Sequence, residues 1–382
     1  MNPSDFKEDA PGHLVLTEQG DGHAFVPATL PPQGFAIDYS LATALSSADV
    51  ALARLDGLAR TLPDPEILAR PFIRMEAVDS SRIEGTQTTY SDLVLFEAAQ
   101  RATEPDTVIV ANYLRALNHG IRRLAEIPLS RRLICEIHAT LMRGYQENKS
   151  RPGEIRKGQV VIGAPNATPK TARFVPPPRT YLDDLLSDLE KFCNQYRDLP
   201  LLLRIAMVHY QFETIHPFWD GNGRVGRLLI SLILSVEERL FRPMLYLSRY
   251  FEQHRREYYD SLYAVSTRAA WNEWFHFFLD GVATQANDAI ARIHRLQDLR
   301  KTYEERLQSR KRLAASDLRL LSALFETPVT SIPMVRTQQR LSGPSAKDCI
   351  ARLAKAGILE RFELPGLVHY WMAPEIIRAV QD

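Results

Sequence analysis

Twelve consecutive residues, His216-Pro217-Phe218-Trp219-Asp220-Gly221-Asn222-Gly223-Arg224-Val225-Gly226-Arg227, bring together a titratable ring, a carboxylate, paired glycines and two guanidinium groups. Gly221 and Gly223 flank Asn222, so successive backbone N–H groups can turn inward where the next helix begins. The positive end of that helix adds to them and makes an anion nest. Arg224 and Arg227 stand three residues apart and leave one face of the helix near its N-terminus. Asp220 offers a hard oxygen ligand suited to Mg²⁺ beside phosphates, and His216 can take a proton near neutral pH. A nest, two arginines, a carboxylate and a base describe a phosphoryl or nucleotidyl transfer site. Two other phosphate-binding readings do not fit. Gly221-x-Gly223-x-x-Gly226 formally matches a dinucleotide fingerprint, but that site needs a strand before it and a parallel βαβ frame, whereas 201–214 has helical period. The pattern GxxxxGK[ST] of a P-loop is absent.

The elements that must hold this run are mostly helical. Helical periodicity or composition predicts helices over 41–58, 65–81, 91–101, 106–126, 129–143, 181–197, 201–214, 223–239, 251–265 and 270–310. The first forty residues, rich in Pro, Gly and Asp, read as an extended arm or a partly disordered one. Val160-Val161-Ile162 and Arg173-Phe174-Val175 bracket a turn-rich tip and predict a β-hairpin over 158–176. Arg292 to Arg312 mixes many basic and acidic residues and reads as a solvated linker helix. Beyond it, helices near 314–325, 332–339 and 345–356, then β runs at Leu359–Glu363 and Leu367–Trp371 turned at Leu364-Pro365-Gly366, follow the winged-helix order.

The 382 residues suggest roughly two to three domains. With 45% hydrophobic and 24% charged residues, collagen-like and wholly disordered classes are excluded. Lys plus Arg at 47 against Asp plus Glu at 46 gives no overall charge for coating nucleic acid or an acidic membrane. Cys135, Cys193 and Cys349 are widely spaced with no CxxC, which argues against a disulfide framework or a thiolate zinc site. Met1 to Gly12 has no apolar core of a signal peptide. Leu228 to Val236 is far shorter than the roughly 18 residues that span a bilayer. The expectation is a soluble, cytoplasmic protein that does not enter a membrane.

His216-Pro217-Phe218-x-Asp220-Gly221-Asn222-Gly223-Arg224-x-x-Arg227 resembles the signature of the Fic family, with every defining position matched. The resemblance extends from about residue 30 to 280, and a winged-helix tail is a common companion. It implies a mainly α fold and transfer of AMP from ATP to a Ser, Thr or Tyr hydroxyl of a protein target. By that resemblance His216 deprotonates the hydroxyl and Asp220 holds Mg²⁺ between the α- and β-phosphates. Gly221, Asn222 and Gly223 cradle the phosphates, and Arg224 and Arg227 grip the leaving pyrophosphate. Relatives that act as kinases carry lysine at the second glycine; Gly223 is intact here.

Upstream, Ser80-Ser81-Arg82-Ile83-Glu84-Gly85 is similar to the family's inhibitory motif, [ST]-x-x-x-E-[GN], in the class where the inhibitory helix precedes the Fic domain. It implies that Glu84, with Ser80, checks the enzyme through a bidentate pair of Glu84 with Arg227. The hairpin, including Val160, Val161 and Ile162, resembles the flap over the nucleotide, where a target segment adds as a strand. Gly153-x-x-Arg156 resembles the family's approach to it. Tyr258 and Tyr259 align with a tyrosine pair near the adenine pocket, although this chain has Val265 and Ser266 where several relatives place an Asn. His138, His209 and His276 read as packing or surface histidines.

The expected division is an N-terminal region over 1–104, a Fic core over 105–285, a linker helix over 286–312 and a winged helix over 313–382. Removal of AMP, which relatives perform with the inhibitory Glu, is an alternative activity. DNA binding by the tail, which offers Lys347, Arg352 and Lys355, is an alternative of another class; auto-modification and a homodimer stay open.

Overall fold

The computed structural model describes every residue except 63, 100–105, 145–150, 197, 238–239, 310–312 and 363–368. As expected, the fold is mainly α, with small antiparallel sheets. It opens on a hairpin, β1 (Gly12–Leu16) against β2 (His23–Pro27), in register from Gly12 opposite Pro27 to Leu16 opposite His23. Helices α1 (Tyr39–Thr61), α2 (Pro65–Ile83), α3 (Tyr90–Ala99), α4 (Thr107–Leu124) and α5 (Arg131–Leu141) follow. After 151–178 come α6 (Arg179–Gln195), α7 (Leu201–Ile215), α8 (Asn222–Val236), α9 (Ser248–Gln253), α10 (Arg255–Arg268) and α11 (Trp271–Gln308). The chain ends with α12 (Ala315–Glu326), β3 (Val329–Ser331), α13 (Ile332–Gln339), α14 (Gly343–Lys355), β4 (Glu360–Phe362), β5 (Tyr370–Met372) and α15 (Pro374–Gln381). None of the helices, among the described residues, is long and apolar enough to cross a membrane.

Two compact units form, each assembled from three separate stretches of chain. Met1–Ala53, Asn112–Leu240 and Leu247–Thr284 make the first, while Arg54–Ala111, Phe241–Tyr246 and Gln285–Asp382 make the second. Helices α1, α4 and α11 each run from one unit into the other, so three of the five boundaries fall inside helices. The N-terminal arm is not merely extended. Its apolar runs His13–Leu16 and Ala24–Val26 pair as strands around a Gly-rich turn.

The first unit is built around α7, apolar on nearly every side and buried along nearly its whole length, as an all-round hydrophobic helix must be. Gly226 lets α8 lie close on it: a Cβ there would stand 2.2 Å from Glu213 Oε1. A stacked set of rings, His209, Phe251, Tyr258, Trp274 and Phe277, knits α7 to α9, α10 and the start of α11. The Gln211 amide donates to the Ala28 carbonyl at 2.9 Å and ties the N-terminal segment to α7.

In the second unit α2 packs on α12. Arg74 of α2 is buried, donating to Glu97 Oε2 of α3 at 2.6 Å, to Thr327 Oγ1 at 3.3 Å and to the Glu326 carbonyl. The later half of α11 is not a solvated linker, because Ile293, Leu296, Tyr303 and Leu307 are buried at helical spacing. The closing segment has the order α12–β3–α13–α14–β4–β5–α15, with its sheet arranged β3-β5-β4; β3 and α15 add to the elements expected there. The expected turn at Leu364-Pro365-Gly366 lies outside the described residues.

Candidate active site

Helix α7 stops at His216, whose N–H closes the last turn on the Phe212 carbonyl at 3.0 Å. Its backbone is left-handed (φ 51°, ψ 61°), uncommon without glycine, and Pro217 prevents the helix from continuing. Within the half-buried ring, Nδ1 lies 3.2 Å from the Glu213 carbonyl. A carbonyl oxygen only accepts, so Nδ1 carries the hydrogen and Nε2 holds the lone pair of the neutral ring. That nitrogen is the atom equipped to accept a proton.

The loop then returns to α8 through a brace inside itself. Asn222 Oδ1 accepts from the Phe218 N–H at 2.8 Å, and its Nδ2 donates to the Phe218 carbonyl at 2.9 Å. Both ends of this side chain are thereby used. Gly221 is the N-cap, at φ 78°, and no side chain caps the first turn of α8, which leaves first-turn N–H groups to other acceptors. Asp220 Oδ1 accepts from the Gly221 N–H at 2.5 Å and from Arg224 Nη2 at 3.3 Å, while the side chain keeps 37% exposure. Arg224 is only 4% exposed, and its Nε finds no acceptor among the described residues. Arg227 is buried one turn along the same helix. A buried guanidinium with an N–H still to satisfy, beside an uncapped helix start, is the donor set an anion requires. Among the described residues no group of three or more His, Cys, Asp or Glu could cage a metal. A lone, partly exposed carboxylate fits Mg²⁺ held jointly with phosphates, because that ion keeps few protein ligands.

Behind the loop stand two residues with no expected role in the chemistry. Arg156, 0% exposed, donates through Nε to the His216 carbonyl at 2.8 Å, through Nη1 to Gly158 at 2.8 Å and through Nη2 to Pro177 at 2.6 Å. The His138 ring lies against Phe218 and is buried, which pushes it down to about 4 and keeps it neutral. The only sequence signal for either was the spacing of Gly153 and Arg156; His138, expected to be a packing or surface residue, carried none.

The expected flap is reduced to a single antiparallel bridge, Ile162 with Phe174, at 2.8 and 3.0 Å. Val160 and Val161 form no ladder. Pro176, Pro177 and Pro178 lack the N–H donors that would extend pairing. The returning arm is held from below, since the Val175 carbonyl accepts from the Phe25 N–H of β2 at 2.9 Å. Phe25, Phe174, Val175 and Met1 share a small core on which Val161 and Ile162 pack.

Tyr258 is buried in the ring stack, its hydroxyl 2.7 Å from His209 Nε2, so its side chain belongs to the core. Tyr259 is half-buried with the Arg255 guanidinium 6.0 Å from its ring. Ser80 is buried within α2 of the second unit, and Glu84 is the exposed C-cap of that helix, its N–H donating to the Ser81 carbonyl at 3.0 Å. His276 sits at the surface 3.3 Å from Ser40 Oγ.

A helical fold with an uncapped helix start and a buried arginine at a turn between two packed helices is the class this geometry defines. Comparison with known proteins makes it specific. Residues 42–122 match the Fic/DOC family N-terminal model and 128–234 match the Fic/DOC family model. The chain belongs to the Fic family, with the family's N-terminal region preceding the Fic domain. A probable protein adenylyltransferase of Aquifex aeolicus is 27% identical over 179 residues, covering 44% of this chain and 51% of that protein. The protein adenylyltransferase fic-1 of Caenorhabditis elegans is 30% identical over 155 residues, covering 40% of this chain and 27% of that one. The chain thus spans about half or less of these relatives. In fold, it is similar to a Fic family protein from Desulfovibrio desulfuricans G20, with a TM-score of 0.57 at 18% identity, over 89% of this chain and 97% of that one.

Proposed function

We propose that this protein is an adenylyltransferase that moves AMP from ATP onto a Ser, Thr or Tyr hydroxyl of a protein target, which includes itself. The observation that carries the reading is the buried Arg224, with its unsatisfied Nε, at the uncapped start of α8. His216 Nε2 takes the hydroxyl proton. The freed oxygen attacks the α-phosphorus, the bond to the bridging oxygen of the β-phosphate breaks, and pyrophosphate leaves. The backbone N–H groups of Asn222 and Gly223 receive phosphate oxygens beside Gly221, whose N–H holds Asp220, and Arg224 and Arg227 hold the β- and γ-phosphates. Asp220 is the residue to hold Mg²⁺, which when bound offsets charge on the phosphates. Glu84 restrains the enzyme by pairing with Arg227 and withholding it from the γ-phosphate, and residues 313–382 form a winged-helix module. Names given to similar proteins support the transfer. The test is incubation of the Glu84→Gly variant with cell extract and ATP, followed by mass spectrometry. AMP on a side-chain hydroxyl, absent when His216→Ala is added, is expected; adducts undiminished by His216→Ala overturn the base assignment.

A further inference from the structure

We propose that His138 is the positioning residue that sets the orientation of the 216–222 loop and couples it to the approach of the flap. The proposal depends on the transfer reading only for what the loop binds. His138 lies near the end of α5 with 1% exposure, its ring parallel to Phe218 at a centroid separation of 3.7 Å and 3° between planes. Nδ1 accepts from the Gly153 N–H at 2.9 Å, and Nε2 lies 3.0 Å from the Asp220 carbonyl. The first partner only donates and the second only accepts, so one neutral tautomer satisfies both.

The consequence follows from peptide planarity. The Asp220 carbonyl and the Gly221 N–H belong to one trans peptide and point to opposite sides. Pinning the carbonyl on His138 turns the N–H to the other side, where it meets Asp220 Oδ1 at 2.5 Å. Arg224 Nη2 approaches the same oxygen at 3.3 Å. One imidazole therefore fixes the peptide that fixes both the carboxylate and the guanidinium. The contact leaves no slack: a Cβ on Gly221 would stand 2.9 Å from Met142 Sδ and 3.5 Å from His138 Nε2. On its other edge His138 holds Gly153, three residues before Arg156, whose Nε holds the His216 carbonyl. The loop is gripped at both ends by one connected set.

The test compares full-length wild type with His138→Phe, His138→Gln and His138→Asn. The phenylalanine keeps the stack and loses both bonds, glutamine reaches Asp220, and asparagine reaches Gly153. Amide hydrogen exchange at Gly153 and Gly221, MgATP affinity by calorimetry and thermal midpoint are measured. His138→Phe is expected to speed exchange at both glycines and to weaken MgATP about tenfold, as loss of a buried hydrogen bond does, with α7 still protected. His138→Gln recovers Gly221 and most of the affinity, and His138→Asn recovers only Gly153. Unchanged exchange at both glycines in folded His138→Phe overturns the inference. Should that variant not fold, equal MgATP affinity of the Gln and Asn variants overturns it instead. Faster exchange at the glycines where no protein, wild type included, binds MgATP upholds the positioning role and defeats the transfer reading.

Discussion

Arg156 Nε donates to the carbonyl of His216 at 2.8 Å, so a fully buried guanidinium holds the one residue of the loop whose backbone is left-handed without being glycine. Burial pushes that guanidinium down to about 10, still charged at neutral pH. Its other nitrogens bind the Gly158 and Pro177 carbonyls, and with them both arms of the flap segment. A lysine is a point donor and cannot span carbonyls on three segments. Arg156→Lys is expected to cost about 3 kcal/mol through buried acceptors left unpaired, read as a lower urea midpoint, with transfer falling further than the folded fraction. A midpoint equal to wild type contradicts the bracket.

Asp220→Asn keeps an oxygen for the Gly221 N–H and removes the charge. Transfer at limiting Mg²⁺ is expected to fall by roughly 10²-fold, the scale of losing one electrostatic contact in a dry site. A Mg²⁺ titration of initial rates checks it, and a curve superposed on wild type moves the metal to another residue.

Acid should destabilise the fold through His209. Burial, with the Arg227 charge nearby, pushes this ring from 6.5 down to about 3. The unfolded chain therefore takes up the proton first. The contribution of the neutral ring is complete above about pH 6.5 and is lost as pH falls toward 3. Between pH 7 and pH 5 wild type is expected to lose about 2 kcal/mol from this group, measured by urea unfolding at both values. His209→Phe should remove that part of the slope; an identical slope assigns it elsewhere.

Glu84→Gly gives opposite signs for two roles. As an inhibitor paired with Arg227, its removal raises auto-adenylylation tenfold or more, since about 1.4 kcal/mol is tenfold, and added Arg227→Ala abolishes the gain. As a helix end alone, its removal leaves activity flat or lower. Rates for the wild type and both variants decide.

The turn between α7 and α8 was legible because its residues are contiguous: His216, Asp220, the glycines and the arginines sit together wherever the loop folds. What supports them was not. His138 and Arg156 lie 82 and 60 residues from their partners Asp220 and His216, and they bind backbone atoms, which no side-chain pattern reveals. The brace of the Asn222 side chain on Phe218 was not legible either, because it too binds backbone atoms. Periodicity placed most helices within a few residues, yet read 251–265 as one helix where α9 and α10 break at His254. It also could not show that α1, α4 and α11 each serve two units, because periodicity reports that a face is buried and not against what.

The central claim is tested most directly by where the label goes. Purified Glu84→Gly protein, with and without His216→Ala, is given Mg²⁺ and ATP labelled on either the α- or the γ-phosphate. Label from the α-phosphate should enter protein and label from the γ-phosphate should leave as pyrophosphate, with His216→Ala reducing incorporation by about 10²–10⁴-fold. Incorporation of the γ-label, or α-label that persists at full rate without His216, contradicts the account.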